Sequence, residues 1–153
     1  MPLPRALQRF QQLDLRQRAW LIVFLGALPV IKASLRLRGY ARTREMVERW
    51  TEHAGKRRPS RMDVIAADQL ARLAQIAGRR GLVKATCLPQ ALAVYAAVRR
   101  RGLDPVFHIG IKKSDQKFEA HAWVELAEYP LAQPELDHLR LPLDRMGGPA
   151  VEA

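Results

Sequence analysis

Cysteine occurs once in these 153 residues. A single thiol permits no intramolecular disulfide, which excludes a disulfide-stapled scaffold and suits a reducing cytoplasm. Metal-ligand clusters are also missing. His53, His108, His121 and His138 have no ligand spacing among them and no second cysteine to help, so neither a metal nor another cofactor is expected. Aromatics make up only 7% of the chain, with no aromatic RNA-binding motif and no helix-turn-helix signature, so nucleic acid is not an expected partner. Long apolar runs are missing as well. The longest, Ala19 to Ile31, has thirteen residues, short of the about 20 that cross a bilayer as a helix. No small-residue cleavage site follows it. It reads as a buried helix kinked at Pro29, and membrane-surface contact is not expected. Internal repeats and low-complexity tracts do not occur.

Positive charge is abundant. The net charge is +11; residues 1–60 hold thirteen Lys or Arg against four Asp or Glu, and residues 61–153 thirteen against eleven, hence +9 and +2. A basic segment of this kind attracts anionic lipid, nucleic acid or an acidic peptide, and the plain alternative is an arginine-rich solvated helix surface. The length is that of one domain, organised as a basic helical segment, 1–60, and a core, 61–153.

In chain order, Leu7, Phe10 and Leu13 suggest a short first helix, and Leu35, Leu37, Tyr40, Met46, Val47 and Trp50 continue helix over 33–52. E-H-A-G-K-R-R-P-S breaks the pattern. Ser60 with Asp63 forms a shortened capping box, and the helix it opens ends near Gly78, with Gly78 and Gly81 as breakers. Leu88, Ala91, Leu92, Tyr95 and Val98 then mark a helix from about Cys87 to Arg101, with Pro89 in its first turn and Gly102 as its stop. Val106–Lys112 and Lys117–Leu126 read as a hairpin. A short third strand is expected at Tyr129–Gln133, and a fraying tail from Leu136. Alternation puts His121, Trp123 and Glu125 on one sheet face; the cysteine helix is expected to cover that face and the earlier helices the reverse. The fold class is α+β.

Chemistry concentrates on two residues. Cys87 stands at a helix start, where unpaired N–H groups and the positive end of the dipole stabilise negative charge on the sulfur or on a substrate oxygen. His121 follows thirty-four residues later inside a strand. Such a pair is what a cysteine nucleophile and its general base require.

C-L-P-Q-A-L-A, then R-R-R-G-L, a strand ending I-G-I, and A-H-A-W-V-E resemble, in order and spacing from about Ser60 to Pro134, the lasso-peptide leader peptidases. These are transglutaminase-like cysteine proteases that cut the leader from a ribosomally made precursor. The resemblance implies a transglutaminase/papain-like core, Cys87 as nucleophile and His121 as base. It also implies a cut just after a leader residue that follows a threonine, a separate leader-binding protein and a later ATP-dependent cyclase. The family places a carboxylate about a dozen residues beyond the histidine; here that position falls to Gln133, a departure from the pattern. Asp137 has the better charge but lies beyond Pro134. Ala127-Glu128 suits a tight type I′ turn poorly, so a three-residue loop, Leu126 to Glu128, is expected to bring Gln133 opposite His121. Two other readings stay open: acyl transfer to an amine at the same site, and a non-catalytic basic binding module.

Overall fold

In the computed structural model, the described residues are 12–52, 55–114, 117–133 and 144–146. The first helix expected around Leu7, and Asp137, lie outside them. Three helices, α1 (Leu15–Thr51), α2 (Arg61–Arg80) and α3 (Cys87–Arg100), precede four strands, β1 (Val106–Ser114), β2 (Lys117–Leu126), β3 (Tyr129–Pro130) and β4 (Asp144–Met146). The strands form one antiparallel sheet in the order β3-β2-β1-β4.

Local chemistry accounts for the helix ends. Asp14 accepts from Gln17 N at 2.7 Å while Gln17 Oε1 accepts from Asp14 N at 3.2 Å, so α1 starts on a reciprocal cap. Ser60 and Asp63 do the same for α2, and the Arg57 guanidinium grips Asp63 at 2.6 and 2.7 Å. Arg57, with the Ser60 N–H and hydroxyl, holds the Asp63 carboxyl well below the usual carboxylate range.

Two punctuation marks differ from expectation. The break in α1 falls at Gly39, φ 79° and ψ 175°, and not at Pro29, which stays inside the helix. Proline removes one N–H, whereas only glycine adopts this positive φ without strain. The Gly39 carbonyl accepts from Thr43 Oγ1 at 2.8 Å. Gly78, expected as a breaker, is instead a packing position: a Cβ there would sit 2.3 Å from Gln90 Nε2. The α2 helix runs on to Arg80 and stops at Gly81.

One core joins the N-terminal segment to the rest, with Phe24, Leu28, Leu70, Leu92, Phe107 and Val124 among its members. Each fully buried side chain of this size contributes about 1.5–3 kcal/mol. At the centre, Tyr95 meets Phe107 edge-on, with ring centroids 6.0 Å apart at 74°. Burial pushes the Tyr95 phenol above its ordinary value, and Arg99 donates to its oxygen at 3.0 Å.

The sheet face against α3 is opposite to the one expected. Ala122, Val124 and Leu126 join the core with the α3 residues, while His121, Trp123 and Glu125 stand on the other side of β2. An alanine-rich helix has no donors for a buried carboxylate. Glu125, 7% exposed, finds them on its own face: His108 Nε2 lies 3.2 Å from Oε2 and Trp123 Nε1 donates to Oε1 at 3.1 Å. The helices α1 and α2 pack on each other and on α3, and it is α3 that meets the strands. Nor is α1 a wholly buried helix: Phe24 and Leu28 are buried, but Ile22 and Val30 are exposed.

The end of the chain also differs. Asp144–Met146, expected to fray, pairs with β1 through Phe107↔Met146 and Ile109↔Asp144, covering backbone groups that an edge strand leaves unpaired. The third strand is only two residues long. Leu126 pairs with Tyr129, so the turn has two residues, not three; Ala127 and Glu128 take φ 51° and 64° despite their poor intrinsic preference for it.

Candidate active site

Cys87 is the first residue of α3, half-buried, and its Sγ lies 3.9 Å from the Ala120 carbonyl oxygen on β2. The approach to it is fixed at three points. Lys32 Nζ donates to Lys84 O at 2.6 Å, Ala85 N to Gly78 O at 3.0 Å, and Gln90 Nε2 to Ala85 O at 2.7 Å. The space that a Cβ on Gly78 would fill is therefore occupied by the amide that holds the loop before the cysteine. Thr86 makes no side-chain cap, so the first-turn N–H groups have no hydroxyl competing for them.

His121 follows Ala120. Its Nε2 lies 3.2 Å from Gln133 Oε1. An amide oxygen only accepts, so with Oε1 in this position the shared proton belongs to Nε2, and Nδ1 is the basic nitrogen of that tautomer. The rings of His121, Trp123 and His108 stack in series, with centroids 6.0 and 5.2 Å apart and planes within 17°. Trp123, 3% exposed, thus holds the plane of the His121 ring.

Gln133 reaches His121 although the loop before it differs from expectation. In the two-residue register a continued β3 would place Gln133 opposite Ala122, pointing away from His121. The strand instead ends at Pro130, Leu131 N still donates to Val124 O at 2.9 Å, and Ala132 turns at φ 53°. That left-handed residue redirects the chain.

What holds Ala132 there was not legible in the pattern around Cys87 and His121. Its N–H donates to Asp68 Oδ1 at 2.7 Å and its carbonyl accepts from Gln75 Nε2 at 3.1 Å. Asp68 and Gln75 sit seven residues apart on α2, a polar pair on the otherwise apolar stripe of Ala67, Leu70, Ala71 and Ala74; that interruption was the available signal. Asp68 also binds Arg72 Nε at 2.8 Å, which pushes the Arg72 guanidinium above its ordinary value. If the pair positions Gln133, Asp68→Ala should lower turnover about tenfold with little change in KM, since small displacements of positioning groups carry costs of this order. Asp68→Asn, which keeps the acceptor oxygen, should recover most of it. Steady-state kinetics on the two variants decides; equal loss in both would place the effect in charge and not in position.

Cys87, His121 and Gln133 line one cavity of about 520 Å³, together with Trp123, Gln90 and Arg79. The edge of β2 from His121 to Val124 forms one wall and the Leu131–Gln133 segment another. Among the described residues no group of three His, Cys, Asp or Glu side chains is placed to hold a metal ion.

A thiol at a helix start, an imidazole at the same cavity and an amide on that imidazole are the parts that acyl transfer through a thioester requires. The chain belongs to the transglutaminase-like superfamily, whose sequence profile matches residues 27–141. Enzymes of that superfamily are typically cysteine proteases or acyltransferases that use a cysteine and a histidine. No curated protein and no solved structure is significantly similar to this chain.

Proposed function

We propose that the protein is a cysteine peptidase that removes the leader from a ribosomally made lasso-peptide precursor. The observation that carries the catalytic part is the shared cavity of Cys87 and His121, with Gln133 on His121 Nε2. The peptide-precursor part rests on the C-L-P-Q-A-L-A and A-H-A-W-V-E segments described above.

His121 Nδ1 takes the Cys87 proton as sulfur attacks the scissile carbonyl. Gln133 accepts from the opposite ring nitrogen, and the imidazolium is held against the Trp123 face. Negative charge gathers on the carbonyl oxygen beside the first-turn N–H groups of α3. The tetrahedral adduct collapses, the C–N bond breaks, and the imidazolium returns its proton to the leaving amine. Water, deprotonated by His121, then cleaves the thioester and restores the thiol. Arg79 and Arg72 at the cavity favour peptide carboxylates near the cut. The partners under this reading are the precursor, a separate leader-binding protein, and an ATP-dependent lasso cyclase that takes the freed core peptide, all in the cytoplasm.

The test uses a precursor and a leader-binding protein taken from the neighbouring coding sequences. Mass spectrometry should find leader and core fragments whose masses sum to precursor plus water, formed slowly by the chain alone and fast with the leader-binding protein. An added amine appearing on the leader fragment in place of water would make the enzyme an acyltransferase. An intact precursor with both proteins present would end the peptidase reading.

A further inference from the structure

The α1 helix is apolar on two opposite sides. One side, with Leu21, Phe24, Leu28 and Ile31, is buried against the body. On the other, Leu15, Ile22, Val23, Val30 and Leu37 are each between 50% and 84% exposed. Their spacing, with Gly26 at the middle, keeps them on one line of a straight helix, about 33 Å long at 1.5 Å per residue. A Cβ built on Gly26 meets nothing within 4 Å, so the centre of this line is open. Such a stripe is far more apolar surface than singly scattered residues expose.

The charge around it selects the occupant. From Leu15 to Arg44 the sequence has seven Lys or Arg and no Asp or Glu, and Arg16, Arg36 and Arg38 are exposed near the two ends of the stripe. A second copy of the chain would bring these cations against one another in either a parallel or an antiparallel pairing. The helix is long and apolar enough to cross a bilayer, but crossing would tear Phe24 and Leu28 from the core. An apolar line flanked by guanidinium groups, on a helix that must stay docked to its own domain, fits the interface of an anionic bilayer. There the side chains enter the acyl boundary and the arginines meet phosphate.

We propose that the exposed side of α1 seats the protein on an anionic lipid surface, with α1 lying in the plane of the membrane. This revises the expectation that no membrane contact occurs, and it is independent of the peptidase reading. Because Lys32 of the same helix bonds Lys84 O, the lipid-facing helix is also tied to the loop that leads into Cys87.

The experiment is co-sedimentation of the purified full chain with vesicles of phosphatidylcholine alone or of phosphatidylcholine and phosphatidylglycerol. Binding should appear with the mixed vesicles, weaken with salt, and be slight with phosphatidylcholine alone. Ile22→Asp with Val30→Asp should lower the affinity at least about tenfold, given the apolar area withdrawn, and should leave the rate of Cys87 alkylation unchanged, which shows the fold intact. Equal binding by the double variant would reduce the contact to charge and overturn the proposal. Indifference to both vesicles would also overturn it and leave the stripe to an acidic protein. A dimer that the double variant dissociates would assign the stripe to a second copy.

Discussion

Replacing Cys87 with Ala is expected to lower product formation by at least about a thousandfold while leaving the fold intact. No other side chain at the cavity supplies the same chemistry: among the described residues Cys87 is the one thiol, and the neighbouring Thr86 and Gln90 are poor nucleophiles at neutral pH. The fold should survive because the sulfur is only half-buried and alanine favours a helix start at least as well. The Pro89 and Ala91 packing below it is untouched. Cys87→Ser should be nearly as inactive, since a hydroxyl paired with imidazole in a site built around a thiol is a much weaker nucleophile. Single-turnover product formation, measured beside the thermal midpoint of each variant, checks both parts. Turnover near the wild-type rate in the alanine variant would end the peptidase and acyltransferase readings together.

The parts of this structure that were legible in the sequence are those decided within a turn or two of the residue concerned. The Ser60–Asp63 cap, the start of α3 at Cys87 and the hairpin strands are of that kind. Their causes are a hydroxyl three residues from a carboxylate, a proline in a first turn, and period-two alternation. Where backbone conformation sets the break, pattern alone misplaces it: Pro29 reads as the kink, whereas the positive φ at Gly39 interrupts the helix. Gly78 read as a breaker because the sequence does not show Gln90 lying against it.

Long-range choices were less legible still. Alternation divides β2 correctly into two rows, but it does not say which row meets α3. That follows from Glu125 needing His108 across the hairpin and Trp123 two residues back on its own strand as partners. The turn at Ala127-Glu128 is held by the sheet pairing around it, against local preference. Gln133 was singled out by its distance from His121 through the wrong loop. Its contact with the imidazole depends on Ala132 and on two side chains of a helix more than fifty residues earlier. The outer stripe of α1 was hidden for a similar reason, because an apolar residue on an open face looks the same in sequence as one in a core.

The second large effect should come from His121→Ala, and its contrast with His108→Ala separates catalysis from packing. The two histidines lie on either side of Trp123, stacked on it at nearly equal angles, so simple loss of an aromatic neighbour is similar in both variants. Their hydrogen bonds differ. His121 joins Gln133 at the cavity that holds Cys87, whereas His108 joins Glu125. Under the peptidase reading, removing His121 takes away the acceptor for the thiol proton and the donor for the leaving amine, an expected loss of about a hundredfold to ten thousandfold in turnover. Removing His108 withdraws one of the partners of a carboxylate that is 7% exposed, which should cost about 1–3 kcal/mol of stability and little turnover below the melting transition. His108→Gln, which keeps a donor, should recover part of that stability. The measurements are the acylation rate under single-turnover conditions and the thermal midpoint for each variant. A large kinetic loss with a small thermal shift in His121→Ala, and the reverse in His108→Ala, is the expected result. The opposite pattern would make His108 the base and remove the reason for assigning Gln133 any part in orienting it.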